Sequence, residues 1–165
     1  MPGPMPERPA ERFLAALAAG DDPSAAVRTV LVMAHPDDET VGLGAQLPQL
    51  RQARLVTVTD GAPRDLRDAR AAGFARAADY AAARRRELEE AMTLAGIARD
   101  RLASLGIADQ GAALALAELT RRLADLLDGA ALVVTHPYEG GHPDHDATAF
   151  AGHAACALIR RRGRP

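Results

Sequence analysis

A continuous apolar run, "RTVLVMA" at residues 28–34, constrains the fold of this chain more than any other feature. A strand with one face in water alternates apolar and polar residues, whereas this run is apolar throughout from Val30 to Ala34. It therefore predicts a strand that is buried on both faces, with helices on both sides of its sheet. The composition suits such a core, because 48% of the residues are hydrophobic and only 3% are aromatic.

Strand-like runs and helix-like segments alternate four times along the chain, which predicts an α/β fold with a mostly parallel sheet. The predicted strands cover residues 28–34, 54–59, 101–106 and 131–136. The predicted helices cover residues 11–20, 42–50 (disturbed by Pro48), 81–97, 112–129 and 143–162, while residues 65–83 are helical or loosely ordered. We divide the chain into an N-terminal lead with a short helix, residues 1–24, and one domain, residues 25–165.

Composition and charge exclude several classes of function. The net charge is −2, so no overall field favours nucleic acid or a membrane surface, and the arginine-rich segment 160–165 is interpreted as a solvated helix end. The absence of lysine excludes Schiff-base and P-loop chemistry. The single cysteine, Cys156, fits a reducing compartment. The first ten residues are expected to be disordered, no segment resembles a signal peptide or a membrane span, and we expect a cytoplasmic protein.

Two similar clusters of polar residues follow predicted strands. "AHPDDET" at 34–40 follows the first strand, and "GGHPDHD" at 140–146 follows the last. Because ligands of open α/β sheets bind beyond the carboxyl ends of the strands, both clusters can lie at one edge of the sheet. Pro36 and Pro143 each suit the first turn of a helix, where a missing N–H costs little.

The spacing and residue types of the two clusters predict an open metal site. Residues three apart at the start of a helix point to one side, which pairs His35 with Asp38 and His142 with His145. Two imidazoles and one carboxylate are a common zinc ligand set, so we predict His35, Asp38 and His145 as the ligands. Non-haem Fe(II) also accepts this set.

The remaining residues of the clusters suit hydrolysis of an amide or ester. Asp37 can act as general base toward a water molecule that the metal activates. His142 can stabilise the oxyanion or protonate the leaving group, and Asp144 can fix its tautomer and raise its pKa. An oxygenase needs no such base and acid, so hydrolysis with zinc is preferred to iron chemistry.

Structural interpretations compete with each element when it is taken alone. An isolated "PDD" is typical of a helix N-terminus, and an isolated "HPDH" of a polar turn, but the repeated pattern favours a metal site. We expect His136, at the end of a predicted strand, not to be a ligand and His153 to be structural or exposed. A dinucleotide site at "GLGAQL" (42–47) is disfavoured, because Leu47 replaces the third glycine and three acids precede the segment.

At these motifs the chain resembles the zinc-dependent N-acetylglucosaminyl deacetylases of the PIG-L or LmbE type. "VTDGAP" at 58–63, "RRRELEEAMTLAGI" at 84–97 and "ADQ" at 108–110 are also similar to segments of that family. The resemblance implies a Rossmann-like three-layer sandwich, the same zinc ligands and catalytic residues, and a small-molecule N-acylated amino sugar or its conjugate as substrate. Arg84 is then a candidate to hold a sugar hydroxyl or phosphate-like group, beside its interpretation as a solvated arginine.

The resemblance also leads us to expect that the C-terminal part of the family fold is missing, because family members usually continue well past the second motif. An exposed sheet edge could then be covered by self-association into a homo-oligomer. The alternative function is a truncated, catalytically impaired relative that binds metal or sugar.

Overall fold

The computed structural model describes residues 8–163 and places a four-stranded parallel sheet at the centre of the chain. The strand order is β3-β2-β1-β4, so the first and last strands of the sequence lie side by side in the middle and at one edge. The predicted α/β fold with a parallel sheet is confirmed. The strands are β1 Thr29–Met33, β2 Arg54–Thr59, β3 Leu102–Ile107 and β4 Leu132–Thr135.

Seven α-helices accompany these strands in the described part of the chain. They are α1 Pro9–Ala19, α2 Pro23–Ala26, α3 Asp38–Leu43, α4 Arg67–Ala71, α5 Ala77–Leu94, α6 Leu116–Leu126 and α7 Pro143–Arg161. Short 3-10 turns cover Leu47–Gln49, Arg99–Arg101 and Ala112–Ala115. None of the helices in residues 8–163 is long and apolar enough to cross a membrane.

The two faces of the sheet are covered by different helices, which makes a three-layer sandwich. Val30 and Val32 of β1 pack with α6 and α7 in one buried cluster. Leu31 and Met33 of β1 pack with α1 and α5 in the other. The apolar run is thus buried on both faces because successive side chains of a strand point in opposite directions. Burial of all five β1 residues confirms the prediction from the sequence.

Most differences from the prediction lie at element boundaries. The helix predicted over 42–50 is α3, which begins at Asp38 within the first polar cluster and ends at Leu43. Pro48 instead lies in a 3-10 turn, where its missing N–H breaks no α-helical hydrogen bond. Residues 9 and 10 of the predicted disordered lead belong to α1, and residues 1–7 lie outside the described part, as do residues 164 and 165 of the basic C-terminal segment.

Candidate metal centre

The two polar clusters meet because β1 and β4 are neighbours. They pair in parallel, with Val32 of β1 opposite Thr135 of β4, so the loops that follow them leave the same edge of the sheet. Asp38 opens α3, and His142 is the residue that precedes the first turn of α7. The imidazole ring of His142 lies 4.7 Å from the ring of His35, centroid to centroid. The predicted juxtaposition of the clusters is therefore present in the structure.

The carboxylate of Asp38 lies between imidazole nitrogens. Its Oδ2 is 3.4 Å from Nδ1 of His35, and its Oδ1 is 3.4 Å from Nε2 of His145. Nε2 of His136 is 3.3 Å from Oδ2. Burial raises the pKa of Asp38, but contacts with His136 and His35 outweigh it and hold the pKa well below its usual range. Asp38 is therefore an anion that faces imidazole nitrogens of three histidines.

The far nitrogens of the two predicted histidine ligands each contact a carboxylate. Nε2 of His35 is 3.3 Å from Oδ2 of Asp144, and Nδ1 of His145 is 2.6 Å from Oε1 of Glu139. The other nitrogen of each ring faces Asp38, which is also a carboxylate, so a nearby carboxylate does not by itself decide which nitrogen of a neutral ring carries the proton. A metal bound between Asp38 and the two rings would require the lone pair on the nitrogen that faces Asp38 and the proton on the far nitrogen. Metal-binding histidines are oriented in this way in known sites.

The spacing of these donors fits a tetrahedral divalent metal. Two ligand atoms that each lie about 2.0 to 2.1 Å from a tetrahedral zinc ion are about 3.3 Å apart. Both contacts between Asp38 and the facing histidine nitrogens are 3.4 Å long. Zinc and ferrous iron both accept two imidazoles and a carboxylate. These contacts have the length that a shared metal ion would give, but they involve different oxygens of Asp38. His35, Asp38 and His145 are also not one of the compact ligand groups found among residues 8–163, so this ligand set stays a prediction.

Other groups of ligand atoms overlap with this set in the described residues. Each of three groups has ligand atoms within 4.8 Å of one another, and they consist of His35, His142 and His145; of Asp38, His136 and His145; and of His35, Asp109 and Asp144. Nε2 of His136 accepts the backbone N–H of Ala34 at 2.9 Å, which occupies its lone pair. The Asp144 carboxylate accepts the backbone N–H groups of Gln110 at 2.6 Å and Ala112 at 3.0 Å. His136 and Asp144 are therefore already engaged in hydrogen bonds with the backbone.

His35 holds a proton when no metal displaces it. Burial lowers the pKa of His35, but the carboxylates of Asp144 and Asp38 outweigh burial and raise the pKa to about 9, with a smaller contribution from Asp109. Burial also raises the pKa of the Asp144 carboxyl, yet the contact with His35 and two backbone N–H groups lower it overall. The pKa of Asp109 is raised by burial and by the neighbouring Asp144.

Asp37, the predicted base, stands beside this centre in an unusual backbone conformation. Its φ is 135°, a value that few residues other than glycine adopt. Its side chain is 61% exposed, and its Oδ2 is 2.8 Å from Nη2 of Arg84. A backbone held in a rarely populated region, with the side chain fixed by an ion pair, is a common feature of active sites.

Arg84 connects α5 to the loops at the edge of the sheet. Besides Asp37, its guanidinium donates to the carbonyl of Gly61 at 2.6 Å and to the carbonyl of Pro36. Gly61 has a φ of +62°, and a Cβ there would lie 2.7 Å from Cδ of Pro36 and 2.9 Å from Nη1 of Arg84. The Arg84 guanidinium therefore holds Asp37 in place. The absence of a side chain at Gly61 leaves space for this guanidinium.

His142, the predicted oxyanion stabiliser, has one nitrogen engaged and one free to donate. Its Nδ1 accepts the backbone N–H of Asp144 at 3.2 Å, so the proton of the neutral ring lies on Nε2. The sequence predicts that Asp144 fixes this tautomer through its side chain. In the structure its backbone N–H makes the contact, and its fully buried carboxylate faces His35 instead.

The sequence did not identify Asp109 and Glu139 as parts of the site. Asp109 lies after β3 in "ADQ", and its Oδ2 is 3.7 Å from Nε2 of His35. The available signal was its position after a third strand end, where the rule for α/β sheets also applies. Glu139 precedes the second motif, and only its proximity to that motif could have suggested it. His136 borders the site and stacks on His145 at 4.2 Å, while His153 is exposed on α7.

The fold is similar to the crystal structure of GalB, the 4-carboxy-2-hydroxymuconate hydratase from Pseudomonas putida KT2440, with a TM-score of 0.65 and 19% sequence identity. The similarity covers 82% of this chain and 58% of that one, so the chain spans a little over half the length of the hydratase. No protein of curated function matches the chain significantly.

The decisive comparison is with protein families. The family profile PIG-L, described as GlcNAc-PI de-N-acetylase, matches residues 30–156, which include both polar clusters and all four strands but for the first residue of β1. The predicted resemblance is thereby confirmed, and the chain belongs to the PIG-L family.

Proposed function

We propose that this protein is a metal-dependent hydrolase that removes an N-acyl group, such as acetyl, from an N-acetylglucosamine-type amino sugar or its conjugate. Family membership supports a deacetylase-like or related hydrolase. The observation that carries the proposal is the arrangement of His35 and His145 about Asp38, in which each histidine places one nitrogen 3.4 Å from an oxygen of the Asp38 carboxylate. Zinc is the preferred metal, and ferrous iron is the alternative.

The chain supplies ligands, a base and a donor. A zinc ion held by His35, Asp38 and His145 would acidify a water molecule and polarise the acyl carbonyl. Asp37 accepts a proton from the attacking water, and its ion pair with Arg84 holds it in place. His142 donates a hydrogen bond from Nε2 to the carbonyl oxygen as negative charge develops there. A protonated His142 would give a proton to the leaving nitrogen as the C–N bond breaks.

A polar cavity beside Asp37 supports a hydroxyl-rich substrate. It has a volume of about 480 Å³ and is lined by Asp37, Asp68, Tyr80 and Glu87 among other residues. Carboxylates accept hydrogen bonds from sugar hydroxyls, and a tyrosine offers both a ring and a hydroxyl. Arg84 also lines the cavity. Its predicted contact with the sugar stays a prediction, because its guanidinium already contacts two carbonyls and Asp37.

The proposal is tested by metal content and acetate release. The protein purified without chelator is expected to carry about one zinc per chain by elemental mass spectrometry and to release acetate from N-acetylglucosamine or one of its conjugates. Asp37→Asn should abolish most turnover and keep the metal, whereas His153→Ala, an exposed change on α7, should alter neither. A folded wild type without metal, or full turnover by Asp37→Asn, would overturn the proposal.

The similarity to a hydratase favours a second candidate reaction. The same base and the same donor could add water across the carbon–carbon double bond of an unsaturated carboxylate. Loss of the absorbance of a conjugated acid, with no acetate released from amino sugars, would favour this reaction. Metal binding with neither activity would instead identify a binding protein of the same family.

A further inference from the structure

We infer that Glu139 is a positioning residue for His145, and that it holds this ring in the orientation that binds the metal. The inference rests on the proposed metal site. Oε1 of Glu139 lies 2.6 Å from Nδ1 of His145, the shortest contact that either side chain makes in the described residues. A contact of this length is a charge-assisted hydrogen bond, in which the imidazole N–H donates to the carboxylate.

Hydrogen bonds to a carboxylate on α7 hold the backbone around Glu139. The Asp146 carboxylate on α7 accepts the backbone N–H of Glu139 at 2.9 Å and that of Gly140 at 3.1 Å. Gly140 has a φ of +68°, which only glycine adopts at little cost. The loop therefore turns back onto the first turn of α7, and the helix that carries His145 also anchors the segment that carries its carboxylate partner.

No competing partner explains the position of Glu139. Among residues 8–163, no arginine contacts its carboxylate, and its side chain is 41% exposed. An exposed glutamate gains rotational freedom when it extends into water, so its contact with a single imidazole needs a specific cause. The arrangement matches that of Asp144, which contacts the far nitrogen of His35 on the other side of the site.

The physical effect is a choice between two tautomers. Without an acceptor at Nδ1, a neutral imidazole can place its proton on Nε2, the nitrogen that faces Asp38. A proton there blocks metal binding, and a ring without its partner can also rotate. A carboxylate at Nδ1 keeps the lone pair on Nε2 and makes that nitrogen more basic. Loss of such a partner typically weakens metal affinity by about 10- to 100-fold.

The test compares zinc affinity in three variants with wild type, by competition with a fluorescent chelator. Glu139→Ala should bind zinc about 10- to 100-fold more weakly. Glu139→Gln keeps an oxygen that can accept the Nδ1 proton, so it should bind better than Glu139→Ala. Glu118→Gln is the matched control, because Glu118 is exposed on α6 and, within residues 8–163, its side chain forms an ion pair only with Arg122. It should bind zinc as tightly as wild type.

A spectroscopic measurement separates positioning from general loss of structure. With Co²⁺ in place of zinc, Glu139→Ala should change the visible absorption bands of the bound ion, while circular dichroism and the thermal midpoint stay near those of wild type. Equal zinc affinity in wild type and Glu139→Ala would overturn the inference and leave the metal site intact. If Glu139→Ala does not fold, Glu139→Leu takes its place, because leucine has a side chain of similar size and no acceptor, and equal zinc affinity of Glu139→Leu and wild type would overturn the inference. Failure of the wild type to bind metal would instead refute the proposed function.

Discussion

Metal binding should expel the proton that His35 holds in the metal-free protein. The carboxylates of Asp144 and Asp38 outweigh burial and raise the pKa of His35 to about 9, so the ring is almost fully protonated at pH 7. Its Nδ1 faces Asp38 and cannot bind a metal until the proton leaves the ring. From this pKa, the contribution of His35 falls from about one proton per metal at pH 7 to about half a proton at pH 9.

Calorimetry measures this release directly. Zinc is titrated into metal-free protein in pairs of buffers that differ in ionisation enthalpy, and the slope of apparent enthalpy against buffer enthalpy gives the number of protons. The expected fall between pH 7 and pH 9 is about half a proton. Asp144→Asn should move the fall to lower pH, because burial then acts on His35 with less opposition. A release that is constant from pH 7 to pH 9 would refute the assignment of the proton to His35.

The same proton predicts how the stability of the metal-free protein depends on pH. The pKa of His35 is higher in the folded state, at about 9, than its value of about 6.5 in an unfolded chain. Its contribution to the free energy of unfolding is therefore complete below pH 6.5 and is lost as the pH rises to about 9. The loss is on the order of 3 kcal/mol at most. Urea unfolding at pH 6 and pH 9, with chelator present, measures it.

Three substitutions, two of them with matched controls, test other contacts. Asp144→Ala leaves the buried N–H of Ala112 and the partly buried N–H of Gln110 without an acceptor and should lower the free energy of unfolding by about 2 to 4 kcal/mol. Asp125→Asn, an exposed control, should change it little in the same urea titration. Gly61→Ala and Gly73→Ala share a positive φ, worth about 1 to 2 kcal/mol, but of the two only at Gly61 does the new Cβ meet other atoms. The free energies of unfolding of the two variants should therefore differ by about 1 to 3 kcal/mol. Arg84→Gln should lower kcat by up to about 100-fold at unchanged zinc content, and unchanged turnover would show that the base needs no support.

The three layers of the fold could be predicted because the apolar residues that indicate them lie within single strand segments of the sequence. All five residues of β1 are apolar or buried, and such a strand needs helices on both faces. The strand order was not predictable in this way, since any of the parallel strands could neighbour β1. The helix expected over 42–50 shows a second limit. The apolar residues in 42–50 did not locate the start of this helix. The acids of the first motif mark the start better, because Asp38 and Glu39 lie in the first turn of α3 and complement the helix dipole there.

The predicted ligands come from a repeated motif, and the residues that orient them do not. His35 and His145 each lie at a fixed position in "HPD" or "HPDH", so spacing alone identified them. The positions of Glu139 and Asp109 depend on how separate loops fold against those motifs. Glu139 contacts His145 from a loop whose backbone donates to Asp146, a contact that no spacing in the sequence indicates.

The hydrogen bonds of the site also separate the histidines by function, although four of the five in the chain lie together. His136 accepts a backbone N–H with the nitrogen nearest Asp38, and His142 accepts one with Nδ1 and keeps a donor at Nε2. His35 and His145 instead contact carboxylates with their far nitrogens and face Asp38 with the others. The charge of the partly buried Asp38 carboxylate can then be neutralised by the proton on His35 in the metal-free protein and by the metal ion in the metal-bound protein. If so, an excess of metal should lessen the pH dependence of stability between pH 6.5 and 9, because the ion replaces the proton whose loss destabilises the metal-free fold.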